Sequence, residues 1–207
     1  PARGGPVPFA RDPRFVCRPT AGGTMNNTPP EVVCLGEALI DLVSLKPGVG
    51  LAGAPGFRKA AGGAPANVAV GVARLGKRAA FLGAVGDDPL GIFLQEELMR
   101  RDVYVAGVTR VRRRTALALV SLKADGDRDF LFYGDRPAHL GLRMTRQMGS
   151  IIRQAKIFHY GSISLIADPA RRATLSAIRE ARRAHRFCSY DPNLRMSLWP
   201  DARTARR

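Results

Sequence analysis

Cysteine is scarce in this sequence. Cys17, Cys34 and Cys188 are the only three, and no two of them form a CxxC pair. That excludes a disulfide framework and a cysteine zinc site, and leaves reduced, mostly buried thiols of an intracellular chain. The histidines are as few: His139, His159 and His185, with no metal-ligand spacing. His159 lies in the apolar run Ile157-Phe158-His159-Tyr160, where a hydrogen-bonded strand histidine is the simpler reading. Long hydrophobic runs are missing too. The longest charge-free apolar stretch, residues 60–73, is broken by three glycines, a proline and an asparagine. It is too short and too interrupted to span a bilayer. The glycine pair at 62–63, which runs into a helix, is neither a GxGxxG fingerprint nor a GK[ST] phosphate loop, which argues against a dinucleotide fold and a P-loop there. Aromatics make up only 7% of the chain, thin material for stacking on bases. Lysine is rare as well: five, against 28 arginines.

What is present is ordinary for a globular protein. The chain has 207 residues, 45% apolar and 24% charged. That is enough for one domain with a true core. The net charge of +16 is uneven. Residues 31–100 balance seven basic against seven acidic groups, whereas residues 101–207 carry a net +13. The arginines of that half come as scattered pairs, with no zinc-finger, RNA-recognition or basic-zipper pattern around them, which weighs against nucleic acid as the partner. Residues 1–30 are rich in Pro, Gly and Arg, have no hydrophobic period, and read as a disordered leader. They lack the apolar core of a secretory signal. Met25 as a natural start and an organelle transit segment both remain open. The expected compartment is the cytoplasm, with a plastid as the alternative.

Residues 31–207 read as one α/β domain. Val32 to Leu35, Ala79 to Val85, Lys156 to Tyr160 and Arg186 to Tyr190 have the signature of buried strands. Helices are expected over about 65–75, 89–101, 145–155 and 169–184. Pro65 stands in the first turn of one helix, Gly76 ends it, and Asp87-Asp88 caps the next. Thr115 to Leu122 and Arg128 to Tyr133 form a hairpin around Ala124-Asp125-Gly126-Asp127. Strands alternating with helices imply a mainly parallel sheet with an inserted β element. In such sheets ligands sit beyond the C-terminal strand ends.

Several polar groups fall at those ends. Asp41 follows the first strand, and a lone carboxylate there can accept two hydroxyls of a polyol, or simply cap a turn. Gly62-Gly63 allows a ligand to approach the backbone closely. Asn67, one turn into the following helix, offers a donor and an acceptor. Asp191, Asn193 and Arg195 follow the last strand, either as ligand groups or as a strand-ending turn.

The string Gly62-Gly63-Ala64-Pro65-Ala66-Asn67-Val68-Ala69-Val70 with Ala73-Arg74-Leu75-Gly76 resembles the first signature of the ribokinase-like (phosphofructokinase B-type) carbohydrate kinases. Matching stretches are Gly36-Glu37 to Asp41, residues 54–57, Gly83 to Asp88, residues 114–118, Phe158 to Leu165, and Ser189 to Arg195 with Leu198-Trp199-Pro200. Together they are similar to the N-terminal part of plant-type fructokinases. The resemblance implies a ribokinase-like three-layer fold with a small β lid, built here from segments near 42–60 and 104–133. It implies phosphoryl transfer from ATP, with Mg2+, to the 6-hydroxyl of fructose. Asp41, Gly62, Gly63 and Asn67 would hold the sugar. Asp191, Asn193 and Arg195 would lie on the phosphate or magnesium side. The lid would close over the sugar and could pair two copies into a homodimer.

Two departures stand out. Gly134-Asp135-Arg136-Pro137, followed by His139, replaces the Arg-Asn-Pro stretch and the acid common in the family. The second signature, Asp-Thr-x-Gly-Ala-Gly-Asp, is absent, and so is an Asn-x-x-Glu element. None of the 207 residues is therefore assigned as catalytic base. A positioned base is worth about 10²–10⁴-fold. The sequence thus reads as a truncated fructokinase-like protein with little or no activity. Its sheet would be cut midway, and poor solubility is expected. The alternatives are a non-catalytic kinase homologue acting as a binding or regulatory module, and a nucleic-acid-associated kinase-like protein.

Overall fold

Apolar runs buried on both faces build the centre of the molecule. In the computed structural model, which describes residues 28–122 and 128–206, β1 (Val32–Leu35) lies between β4 (Ala79–Gly86) and β8 (Ile157–Gly161). β5 (Val103–Val111) and β9 (Phe187–Asp191) complete a five-stranded sheet in the order β5-β4-β1-β8-β9, every pair parallel. All eight residues of β4 are buried, as expected of a strand covered on both sides.

Helices cover both faces. α1 (Ala64–Arg74) and α2 (Pro89–Arg100) pack Ala66, Ala69, Leu94 and Leu98 against Cys34, Phe81 and Val85. α3 (Arg146–Gln154) and α4 (Ala170–Arg183) pack Met148, Ile152, Ala173 and Ala177 against Val33, Leu35, Leu82 and Phe158 on the other side. Alanine dominates the inner face of α4, which lets that helix approach the sheet closely. A five-residue helix, α5 (Ala202–Arg206), lies near the end of the chain. No helix of the described residues is long and apolar enough to cross a membrane.

A second, four-stranded sheet has the order β3-β2-β6-β7. β2 (Leu39–Ser44) pairs antiparallel with β3 (Phe57–Gly62) and parallel with β6 (Leu117–Leu122). β6 pairs antiparallel with β7 (Arg128–Tyr133). Its own small core joins Leu39, Ala116 and Ala118 to Val120 and Phe132. The three-layer, mainly parallel arrangement expected from the sequence is present.

The structure revises four details. Asp41 is the third residue of β2, not a loop residue beyond β1. Residues 104–111 do not join the small sheet: they belong to β5, at an edge of the large one. The small sheet takes from the expected 104–133 segment only β6 and β7. Third, the ordered fold starts before Glu31, since the Pro29 carbonyl accepts a hydrogen bond from Arg78 Nε at 2.9 Å. Last, β3 is a six-residue strand that Arg58, Lys59 and Gly62 disguise in the sequence. The first 27 residues of the proposed leader and the hairpin turn at 124–127 lie outside the described residues.

A compact polar network ties the sheets together where β4 enters α2. Asp88 caps α2, its Oδ1 accepting from Gly91 N at 2.8 Å. Thr115, just before β6, donates its hydroxyl to Asp88 Oδ1 and its N–H to Asp88 Oδ2, both at 2.8 Å. Thr115 Oγ1 in turn accepts from Gly86 N at 3.1 Å. Burial works against the Asp88 charge, but the hydrogen bonds from Thr115 and Gly91 outweigh it and hold its carboxyl below the ordinary range. Thr115 is 6% exposed. Thr115→Val keeps its shape and strands Gly86 N–H. Unfolding in urea should show a stability loss of about 1–3 kcal/mol with an unchanged denaturant slope. A loss under about 0.5 kcal/mol, the range of an ordinary surface change, would contradict this account of the junction.

Candidate functional site

The site grows from two chain crossings between the sheets. Residues 36–38 carry the chain from β1 in the large sheet to β2 in the small one. Gly63 carries it back from β3 to α1. The two crossings touch.

Asp41 projects from β2 over the end of β3. A Cβ on Gly62 would run into Asp41 Oδ2 and stand 2.6 Å from its Cγ. Only glycine lets this carboxylate lie against the backbone. Asp41 is half-buried, and burial pushes its carboxyl above the usual carboxylate range. It keeps a desolvated acceptor beside an open backbone.

Gly63 precedes α1 with φ of 108°, a conformation that side-chain-bearing residues avoid. A Cβ there would overlap the Glu37 carbonyl and stand 3.0 Å from Ala38 Cα. Gly63 has no side chain to cap α1, and the cap comes from elsewhere: Glu37 Oε1 accepts from Ala64 N at 3.0 Å. Asn67 is exposed one turn into α1, its N–H bonded to Gly63 O at 2.9 Å. A cleft of about 320 Å³ runs along α1 and α2 past Gly62 and Asn67 towards Arg74, Glu97 and Arg101. Asp41 is not in its walls, so this cleft flanks the carboxylate rather than enclosing it.

The second predicted group stands at the end of β9. Asp191 Oδ1 accepts from Asn193 N at 3.0 Å, and Asn193 has φ of 33°. This is the strand-ending turn left open by the sequence. Arg195 places its guanidinium 5.7 Å from the centre of the Phe130 ring on β7, within cation–π range, linking this turn to the small sheet. Asp41 thus meets Gly62 directly, Gly63 follows in the chain, and Asn67 stands one turn into α1. Asp191 and Arg195 both bear on the charge of Glu37, at the β1–β2 crossing.

Glu37 is the residue to which sequence reasoning gave no role. It is 2% exposed, and its Oε2 is buried with no hydrogen-bond partner. Burial, with a smaller push from Asp191, raises its carboxyl from 4.5 to about 7, against the pull of its backbone bonds and Arg195. The available signal was an acid between a buried strand and the apolar Ala38-Leu39-Ile40. His139 departs from the family pattern in a different way. Burial holds it neutral, down to about 4, and its Nδ1 has no partner. His159 donates to or accepts from Ser189 Oγ across β8 and β9 at 3.0 Å, the hydrogen-bonded strand histidine expected from the sequence. Cys34 is buried, and burial pushes its thiol up to about 12. Among the described residues no three His, Cys, Asp or Glu side chains gather as a metal site.

Glu37 and His139 pull stability in opposite directions with pH. Glu37 binds a proton more tightly folded than unfolded, so its contribution is full below about 4.5 and is lost as pH rises through about 7. His139 binds one less tightly folded, so its contribution is full above 6.5 and is lost as pH falls through about 4. Glu37→Gln removes only the first. The stability of the variant relative to the unaltered chain should climb between pH 4.5 and 7, with a limiting slope of about 1.4 kcal/mol per pH unit. Urea denaturation across that range checks this, and a difference that does not vary with pH would contradict it.

Comparison with known proteins places this geometry. Residues 29–207 match the model of the pfkB family of carbohydrate kinases. Probable fructokinase-4 of Arabidopsis thaliana is 50% identical over 177 residues, 85% of this chain and 54% of that protein. The crystal structure of a fructokinase with bound ATP from Xylella fastidiosa superposes with a TM-score of 0.70 at 37% identity, over 83% of this chain and 51% of that one. A Vibrio cholerae fructokinase double mutant, solved with fructose, ADP and potassium ion bound, gives 0.72 at 32% identity, over 86% and 56%. The chain spans about half the length of the relatives it matches. The fold is ribokinase-like, and with the family model matching nearly all of the described chain, the protein belongs to the pfkB family of carbohydrate kinases.

Proposed function

We propose that the chain carries the sugar half of a fructokinase-type kinase, a protein that transfers phosphate from ATP to the 6-hydroxyl of fructose. The carrying observation is the Asp41 carboxylate lying against the bare backbone of Gly62 at the end of β3. A half-desolvated carboxylate accepts hydroxyl hydrogens strongly, and two neighbouring hydroxyls of a sugar match its two oxygens. Glycine leaves room for the ring to come down on the backbone, and Asn67 adds a donor and an acceptor on the same side of the turn. The fructose and the nucleotides held by the bacterial relatives support this substrate pair.

The small sheet is the lid of this reading. Excluding water over the bound sugar would protect ATP from hydrolysis. Leu122, Phe130, Leu131 and Tyr133 of the hairpin are exposed, apolar material suited to pairing with a second copy. Arg195 is the group we assign to the phosphates. Asp191 fits a magnesium site poorly, because one of its oxygens already serves Asn193 and no group of three His, Cys, Asp or Glu side chains gathers around it among the described residues. The metal would therefore be held through the nucleotide. The 207 residues contain no Asp-Thr-x-Gly-Ala-Gly-Asp run to supply a base and an anion hole.

Isothermal titration of this chain with fructose tests the reading. Binding is expected, and Asp41→Ala should weaken it by about 10- to 150-fold, the worth of hydrogen bonds to a charged group. A coupled ADP-release assay with MgATP should give turnover well under about 1 s⁻¹, the low end for kinases. Absence of fructose binding would overturn the sugar site, and turnover at kinase rates would overturn the assignment of no base.

A further inference from the structure

Glu37 grips the glycine turn from two sides. Its carbonyl is the atom that a Cβ on Gly63 would strike. Its side chain reaches around to accept the Ala64 N–H, the first of α1. A Ser, Thr, Asp or Asn at the cap position ordinarily serves the N–H of the second or third helical residue and leaves the first to another partner. Here that position is Gly63, and the acceptor comes from 27 residues earlier in the chain. The arrangement is expensive. Glu37 is almost fully buried and one of its oxygens has no partner. A cap side chain at Gly63 would serve later donors of α1, but it would place a Cβ against the Glu37 carbonyl, where the turn must be bare.

We propose that Glu37 is a positioning residue for the sugar: acting through the Ala64 N–H, it sets the Gly62–Gly63 turn in the shape that the sugar meets. This rests on the sugar-kinase reading of that turn. Ionised Glu37 makes a charge-assisted bond to Ala64 and draws the start of α1 towards β1. Proton uptake weakens that bond, adds an O–H to an oxygen with no acceptor, and releases the turn. The charged surroundings are few. Asp191 on β9 favours the proton and Arg195 opposes it, His159 on β8 lies beside Asp191, and Asp41 on β2 faces Gly62. The first turn of α1 has no acid.

The experiment is a pH titration of the 15N-labelled chain from pH 5 to 8, with fructose affinity measured in parallel. The Ala64 amide resonance should follow the ionisation of Glu37, and fructose binding should weaken about fivefold or more on acidification, the scale of exchanging a charged for a neutral acceptor. In Glu37→Gln both should become independent of pH, with affinity held at the weak level. Glu37→Asp keeps the charge but loses the reach, and should bind as weakly as the Gln variant. An Ala64 resonance that ignores pH, or that titrates alike in Glu37→Gln, overturns the proposal, and the unaltered chain alone decides this if a variant fails to fold. Fructose binding with a pH-indifferent Ala64 sinks the positioning role and spares the sugar site. Failure to bind fructose at any pH sinks the sugar site.

Discussion

Two carboxylates hold the small sheet to the large one, and the rest of the site depends on them. Glu37 and Asp88 each stand just past the end of a parallel strand, and each accepts a backbone N–H from a segment 27 residues further on. Glu37 joins the β1–β2 crossing to the start of α1. Asp88 joins the β4–α2 turn to the entry of β6. Both satisfy backbone donors that would otherwise be stranded where chains leave regular structure. They also define the gap between the sheets, which is where Asp41 and Gly62 meet. Lys59 of β3, its Nζ 3.7 Å from the centre of the Phe93 ring on α2, adds a third tie across that gap.

The glycine pair has meaning only within this frame. Flexible glycines are common in loops, but Gly62 and Gly63 are not interchangeable with other small residues. One clears space for a carboxylate and the other for a carbonyl. The surplus of positive charge plays little part in it. The arginines of α3 and α4 lie mainly on exposed faces, where pairs such as Arg172 with Asp168 contribute little to stability. Near the turn, charge is sparse and mostly negative, as suits the proposed hold on sugar hydroxyls.

Much of the large sheet was legible in the sequence. β1, β4, β8 and β9 are short apolar runs between turn signals, and Asp88, Pro89 and Gly76 mark helix ends by their own chemistry. The small sheet was harder to read. β2 spells Leu-Ile-Asp-Leu-Val-Ser, in which Asp41 interrupts the apolar pattern. β3 spells Phe-Arg-Lys-Ala-Ala-Gly, mostly poor strand formers after Phe57, held by six rungs of pairing to β2. Long-range pairing overrode local preference in both. The candidate residues Gly62, Gly63 and Asn67 were visible because their string resembles a known signature, and Asp41 because it ends a second matching stretch. Glu37 sat within the same stretch as Asp41, yet its setting needed coordinates: neither its burial nor its reach to Ala64 can be read from residue order.

The most direct measurement is a map of where fructose lands on the 15N-labelled chain. The account predicts that the amides of Gly62, Gly63 and Ala64 shift first and most, together with Asp41 across the sheet. Shifts centred instead on Arg74, Glu97 and Arg101, along the α1–α2 cleft, would contradict it.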